Sequence, residues 1–87
     1  MSANQDYTVT KMSGLDPRLS AQLVKKAKAS SSVVMIACND VSIEANSLFK
    51  MSRLEVQPET VVSISAEGED AEQVVSDLVK LLADHDV

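Results

Sequence analysis

The stretch VVMIACNDVSIEA, residues 33–45, decides the fold. A six-residue apolar run is followed by the dipeptide Asn39-Asp40, which is typical of tight turns, and then by VSIEA, in which every second residue is apolar. Two strands separated by two turn residues predict an antiparallel hairpin. Because alternation gives a strand one dry and one wet face, we expect a sheet that is covered on one face only.

The segments upstream of this hairpin predict a strand and a helix. Apolar and polar residues alternate around Tyr7 and Val9, and Gly14 then interrupts the pattern. From Pro17 onward the apolar residues share one helical face, until the serine cluster 30–32 ends the helix. Lys25, Lys26 and Lys28 lie off the apolar face and are interpreted as a solvated face, and Cys38, at the end of the second strand, as a small core residue.

The segments downstream predict a short helix, a fourth strand and a long helix. The short helix lies in NSLFKMSRL (46–54), with Asn46 or Ser47 as its cap, and the strand lies in TVVSISAE (60–67). Asp70 followed by Gln73 resembles a capping box. The last helix then carries an apolar stripe, made up of Val74, Val75, Leu78, Leu81 and Leu82. His85, the only histidine, is expected to be a solvated residue of the tail ADHDV.

The predicted order of elements is therefore β-α-β-β-α-β-α, and it indicates an α+β fold. We expect an open-faced β-sandwich, with a four-stranded antiparallel sheet and three helices on one face. The 87 residues predict a single domain, 1–87, without room for a separate cofactor module. One Phe, one Tyr and no Trp mean that the core must be aliphatic.

Composition excludes several classes of function. The formal net charge of −5 disfavours nucleic-acid binding, since an acidic surface repels phosphate backbones. The longest apolar run, VVMIAC, is far too short to span a membrane, and the polar start MSANQDY lacks the apolar core of a signal peptide. A single Cys fits a reducing compartment. We therefore expect a cytoplasmic protein that binds neither nucleic acid nor membrane, and no metal-ligand spacing or cofactor motif is seen.

The segment SGLDPRLSA, residues 13–21, is the candidate site for anion chemistry. A loop that ends at a helix start presents free N–H groups, and Arg18 could add a fork for phosphate oxygens. Asp16, however, places its own negative charge at that position, and an Asp followed by Pro17 is an ordinary helix start. Capping is the favoured role for Asp16. An acyl-phosphate acceptor and an anion-sensing or docking role stay open.

Three stretches resemble the HPr family, the histidine-containing phosphocarriers of the bacterial sugar phosphotransferase system. They are GLDPRLS (14–20), ANSLFKMSRL (45–54) and ISAEGEDAEQ (64–73). The resemblance implies that Asp16 stands at the position of the active histidine, beside a retained Arg18. It also implies that Ser47 matches a serine that a dedicated kinase phosphorylates in some family members.

The family's chemistry sets the expected partners. Its histidine takes phosphate from Enzyme I and passes it to sugar-transporter subunits, and its phosphoserine form binds a transcriptional repressor. This sequence departs from the family pattern at Leu19, where a proline is usual, and at Asn46 and Lys50, which flank the serine. Some HPr-like paralogues without the histidine keep only a regulatory role, and this chain is similar to them.

The resemblance predicts a regulatory or protein-interaction module of the phosphotransferase system that does not transfer phosphate through histidine. Such a module is not an enzyme and needs no cofactor, and its partners are Enzyme I, sugar-transporter subunits or a transcriptional regulator. The alternative is a phosphocarrier-type protein that still accepts phosphate, at Ser47 from a kinase or at Asp16 from Enzyme I. A third hypothesis is a small acylphosphatase-like hydrolase with Arg18 as its anion clamp, which lacks a second catalytic group.

Partner binding is predicted for one face built from the loop and the short helix. A short helix cannot bury all its apolar residues, so we expect Phe49 to point outward and at least one of Leu48, Met51 and Leu54 to pack inward. Exposed apolar residues beside bases suit an acidic partner surface. The predicted partner-binding residues are Asp16, Arg18, Ser47, Leu48, Phe49, Lys50, Met51 and Arg53.

Overall fold

The computed structural model describes residues 1–86, and its elements follow the predicted order. They are β1 (Ser2–Thr8), α1 (Pro17–Ala29), β2 (Val33–Cys38), β3 (Val41–Glu44), α2 (Leu48–Met51), β4 (Val61–Glu67) and α3 (Ala71–His85). β1 begins several residues earlier than the alternation around Tyr7 suggests, because Ser2 already pairs with Glu67. None of the helices within residues 1–86 is long and apolar enough to cross a membrane.

The four strands form one antiparallel sheet in the order β1-β4-β2-β3. Ile36 of β2 pairs with Ile43 on one side and with Ile64 on the other, so the three side chains lie in a row on one face. All three are buried, whereas the residues that alternate with them in β2 and β4 are exposed or only half-buried. The predicted open-faced α+β sandwich is confirmed.

The β2–β3 connection is the two-residue turn that the sequence predicts. Asn39 and Asp40 have φ angles of 51° and 66°. Positive φ at both central residues defines the type I′ turn, whose twist matches that of the flanking strands. Asn39 also donates its side-chain amide to the carbonyl oxygen of Glu55 at 2.9 Å, which ties the turn to the chain after α2.

The core between the sheet and the helices is aliphatic, as the composition predicts. Its most deeply buried large side chains, at relative exposures below 2 %, are Leu19, Leu23, Ile36, Met51, Ile64, Leu78 and Leu82. Cys38 belongs to this core as predicted, with an exposure of 3 %. Lys25, Lys26 and Lys28 lie on the solvated face of α1, where Lys26 forms a half-exposed ion pair with Asp77 at 3.7 Å.

The predicted capping box at the start of α3 is wrong. Asp70 stands at the N-cap, but its carboxylate accepts hydrogen bonds from the Ser31 N–H, at 3.0 Å, and from the Ser32 hydroxyl. Gln73 instead donates to Asp77 at 3.0 Å, one helical turn further on. The carboxylate that would cap α3 is therefore used to fasten the β4–α3 turn to the α1–β2 turn.

Gly68 makes that fastening possible. A Cβ atom at this position would lie 2.6 Å from the Cα of Ser32, closer than side-chain atoms approach backbone, and its φ is +154°. Only a residue without a side chain lets the two turns come this close.

Candidate functional site

The start of α1 has the cap that the sequence predicts. Asp16 is the N-cap residue, and its Oδ1 accepts a hydrogen bond from the Arg18 N–H at 2.7 Å. Pro17 occupies the first helical position, where its fixed φ suits the helix and its missing N–H costs nothing. The backbone carbonyl of Asp16 accepts from the Ser20 N–H at 2.9 Å, which closes the first turn.

This cap reduces the capacity of the helix start to bind a phosphate. An anion at a helix N-terminus is held by the free N–H groups of the first turn. Pro17 has no such group, and the N–H of Arg18 already donates to the Asp16 carboxylate. The negative charge of Asp16 therefore takes a donor that an incoming anion would need and repels that anion at the same time.

The loop before α1 is also held at Gly14. Gly14 has a φ of 79° and donates its N–H to the carbonyl oxygen of Val56 at 2.6 Å, which joins the loop to the segment after α2. No heavy atom outside its chain neighbours lies within 4 Å of the position of a Cβ on Gly14, so the positive φ alone calls for glycine there. Leu15 next to it is half-buried against the core.

Ser47, and not Asn46, caps α2. The Oγ of Ser47 accepts a hydrogen bond from the Phe49 N–H at 3.2 Å. At the other end Ser52 donates its hydroxyl to the carbonyl oxygen of Phe49 at 2.6 Å. The amide oxygen of Asn46 is buried and has no hydrogen-bond partner among residues 1–86. Ser47 itself is half-buried, so its hydroxyl is engaged in the fold as well as open to solvent.

The short helix divides its apolar residues between the core and the surface. Phe49 is 75 % exposed and Leu48 54 % exposed, which confirms the outward orientation predicted for Phe49. Met51 and Leu54 are buried, at 1 % and 5 %. Met51 thus has almost no surface to offer a partner, unlike the other residues predicted to bind one. The guanidinium carbon of Arg53 lies 6.0 Å from the centre of the Phe49 ring, at the limit of a cation–π contact.

The loop and the short helix meet at one open groove with a volume of about 380 Å³. Its lining residues come from both segments: Leu15, Pro17 and Ser20 on one side, and Leu48, Met51, Ser52 and Leu54 on the other. Asp16, Arg18, Phe49 and Arg53 are exposed and Lys50 is half-buried. The groove together with the side chains of Asp16, Arg18, Leu48, Phe49, Lys50 and Arg53 is called the docking surface below.

Asp86 holds the loop before α1, and the sequence analysis did not identify it. It is buried to an exposure of 8 %, and its carboxylate accepts five hydrogen bonds. The donors are the Tyr7 hydroxyl, the N–H and hydroxyl of Thr10, and the N–H groups of Lys11 and Met12. The Tyr7 hydroxyl and the backbone donors hold the pKa of Asp86 far below its usual range, and the same carboxylate raises the pKa of Tyr7.

The segment predicted to be a tail is thus part of the fold. α3 continues through His85, whose exposed ring has Nδ1 3.1 Å from the carbonyl oxygen of Leu81. Asp84 and Asp86 both stand at the end of α3, where negative charge opposes the helix dipole, yet Asp84 is exposed to solvent and only Asp86 is buried. The donors lie more than 70 residues away in sequence, and no local pattern identifies them.

Within residues 1–86, no group of three or more His, Cys, Asp or Glu side chains is placed to hold a metal ion.

Comparison with known proteins agrees with this architecture. The family model described as the PTS HPr component phosphorylation site matches residues 3–84. Phosphocarrier protein HPr of Haemophilus influenzae is 40 % identical over 79 residues, covering 91 % of this chain and 93 % of its own. The Vibrio cholerae protein of the same name is 43 % identical over 74 residues, covering 85 % and 87 %.

A solved structure supports the same assignment. The histidine-containing phosphocarrier protein of Mycoplasma superposes with a TM-score of 0.85 at 26 % identity, covering 94 % of this chain and 93 % of its own. Family match, sequence identity and fold agree over nearly the whole length. The chain therefore belongs to the HPr family of the bacterial phosphotransferase system.

Proposed function

We propose that this chain is a regulatory, protein-interaction member of the HPr family that does not transfer phosphate through histidine. The observation that carries the proposal is the hydrogen bond from the Arg18 N–H to the Asp16 carboxylate. It supports a structural role for the residue at the start of α1, where phosphoryl transfer would need a free nucleophile and free donors. We propose that it acts in the cytoplasm and, like a phosphocarrier, is not an enzyme.

The single imidazole of the chain gives further support. His85 lies at the end of α3, between Asp84 and Asp86, rather than at the start of α1. The exposed carboxylate of the neighbouring Asp84 disfavours the approach of a phosphoryl donor electrostatically. Asp16 is no easy replacement, because carboxylates that accept phosphate usually rely on a divalent cation to offset their own charge.

The docking surface supports binding to a protein. Phe49 and Leu48 expose apolar surface beside the cations of Lys50 and Arg53. Aromatic and arginine side chains contribute most of the binding energy in many interfaces, and basic groups around them favour an acidic partner. The adjoining groove of about 380 Å³ gives an apolar partner side chain a place to insert. We propose Enzyme I, the sugar-transporter subunits or a transcriptional regulator as partners.

A phosphorylation assay tests the proposal that this chain does not transfer phosphate. The protein is incubated with phosphoenolpyruvate and Enzyme I, and separately with ATP and the serine kinase, and its intact mass is measured. The Haemophilus influenzae relative serves as the positive control for the first reaction. We expect no phosphate from Enzyme I on this chain. Hydroxylamine-labile phosphate on Asp16 or acid-labile phosphate on His85 would contradict the proposal, whereas acid-stable phosphate on Ser47 would identify a regulatory modification.

Ser47 is one of the two residues, with Asp16, at which the alternative phosphocarrier-type function would accept phosphate. Its Oγ accepts from the Phe49 N–H, so a phosphate there would replace this bond and place about two negative charges next to Leu48 of the docking surface. We therefore expect phosphorylation of Ser47, if a kinase performs it, to change the choice of partner rather than to unfold α2.

A binding assay with Enzyme I tests the proposal that the docking surface binds a partner protein. Phe49→Ala and Leu48→Ser should each weaken the complex at least about tenfold, equivalent to about 1.4 kcal/mol. Val33→Ser is the matched control, because Val33 is 55 % exposed, as Leu48 is 54 % exposed, but lies on the uncovered sheet face. Equal affinities of all three variants, measured by calorimetry, would show that the docking surface is not where Enzyme I binds.

A further inference from the structure

The carboxylate of Asp86 sits in a complete set of donors. Oδ2 accepts from the Tyr7 hydroxyl at 2.6 Å, the Thr10 N–H at 2.8 Å and the Thr10 hydroxyl at 2.9 Å. Oδ1 accepts from the N–H groups of Lys11 and Met12, both at 2.7 Å. Three successive backbone N–H groups that converge on one anion form a nest, an anion-binding arrangement that depends on the backbone alone.

The position of Asp86 has no explanation within its own helix. It stands at the C-cap of α3, where the helix dipole favours cations and an acid is destabilising. Burial of a charged carboxylate adds a further cost unless hydrogen bonds replace its hydration. The five donors supply that replacement, and four of them come from the segment Thr10–Met12.

That segment leads directly into the docking surface. Met12 is followed by Ser13 and by Gly14, whose N–H is bonded to Val56. Between β1 and α1 the chain is held at Val9 by backbone hydrogen bonds with Glu59 and Thr60. Further along, it is held by Asp86 at Thr10–Met12 and by Val56 at Gly14. Loss of the contacts with Asp86 would free the segment between Val9 and Gly14, which leads into Asp16 and Arg18.

We propose that Tyr7 and Thr10–Met12 form a carboxylate-binding site that the chain's own Asp86 fills, and that its occupation fixes the loop before α1. When the Asp86 side chain is removed, the emptied site takes a small free carboxylate such as formate. This site does not depend on a docked partner, so it can be tested on the free protein.

Chemical rescue tests the site in the full chain. In Asp86→Ala, we expect the amides of Lys11 and Met12 to shift strongly in NMR spectra and to exchange with solvent at least about tenfold faster, with the change extending to Gly14. Sodium formate should reverse these changes with saturation, whereas sodium chloride at equal ionic strength should not. Thermal unfolding, measured in parallel, should show the same selective recovery with formate.

Two variants serve as controls. Asp84→Ala removes an exposed acid from the same end of α3, and we expect it to leave the Thr10–Met12 amides unchanged, with or without formate. Asp86→Asn keeps the volume of the side chain, so the site stays filled and formate has no space to enter. We expect this variant to lose protection at Lys11 or Met12, since an amide group has one acceptor atom only, and to show no rescue.

The outcomes decide between occupation of a site and a general effect of charge. The proposal is supported if formate restores the amide spectra and the thermal stability of Asp86→Ala and of no other variant. An equal response to formate and chloride, or an equal formate response in all three variants, would overturn it. Unchanged Lys11 and Met12 amides in Asp86→Ala would overturn it as well. If Asp86→Ala is unfolded in buffer, refolding by formate replaces the amide measurement, and failure to refold contradicts the proposal.

Discussion

Replacing Asp16 by alanine measures how much the carboxylate contributes as a helix cap. The change removes one hydrogen bond, 2.7 Å from Oδ1 to the Arg18 nitrogen, on an exposed surface where no cavity is left behind. Caps of this kind contribute roughly 0.5–2 kcal/mol, typically about 1 kcal/mol, to the free energy of unfolding. In a domain of this size, a loss of about 1 kcal/mol lowers the Tm by about 4–8 °C.

Urea unfolding followed by circular dichroism provides the assay. With an m-value of about 1–2 kcal/mol/M, the midpoint for Asp16→Ala should fall by about 0.5–1 M relative to the unmodified chain. Asp16→Asn is the matched control, because asparagine caps a helix as well as aspartate does and loses only the favourable interaction of charge with the dipole. The urea midpoint of Asp16→Asn should lie between those of Asp16→Ala and the unmodified chain.

A different order would refute the reasoning. If Asp16→Ala is as stable as the unmodified chain, the hydrogen bond to Arg18 contributes nothing to stability, and Asp16 has a role other than capping. The reading of Asp16 as a phosphate acceptor would then regain its force. If Asp16→Asn is as unstable as Asp16→Ala, charge alone is responsible, and the position is an electrostatic site rather than a cap.

Glycine substitutions and a pH series test the contacts that hold the turns and the loop before α1. Gly68→Ala should lower the free energy of unfolding by more than about 2 kcal/mol, because its Cβ would overlap Ser32. Gly14→Ala should lower it by only about 1–2 kcal/mol, because the positive φ is its only cost. The urea midpoints of the two variants test this difference. Hydrogen bonds, chiefly from Ser32 to Asp70 and from Tyr7 to Asp86, lower both carboxyl pKa values. The two charged carboxylates therefore stabilise the folded state at pH values above their unfolded-state pKa, which is near 4. Unfolding measured at a series of pH values should show the free energy of unfolding falling progressively below about pH 4. The fall should be less steep in Asp86→Asn, because this variant lacks one of the two carboxylates.

The features that sequence predicts correctly here are those fixed by neighbours along the chain. The turn at Asn39-Asp40 needs two residues that tolerate positive φ, and the dipeptide supplies them. The start of α1 needs an oxygen acceptor followed by a residue that can lack an N–H, and Asp16-Pro17 supplies both. In each case donor and acceptor lie within a few residues, so spacing alone contains the information.

The features that sequence misses are set by tertiary contacts. Asp70 and Asp86 both stand at helix ends, yet their hydrogen bonds go to segments 38 to 79 residues away. The same residue types at helix ends are ordinarily caps or solvated acids, and nothing local distinguishes the two cases. The prediction that Met51 binds a partner is wrong for the same reason, because only the packed structure shows which side of so short a helix meets the core.

The hydrogen bond between Tyr7 and Asp86 also gives this protein a built-in optical probe. The chain contains one Tyr and no Trp, so its tyrosine absorbance and fluorescence come from a single ring. That ring donates to the carboxylate that holds the loop before α1. A titration of phenol ionisation at alkaline pH, where the bound carboxylate delays the loss of the proton, therefore reports on this one contact without labelling.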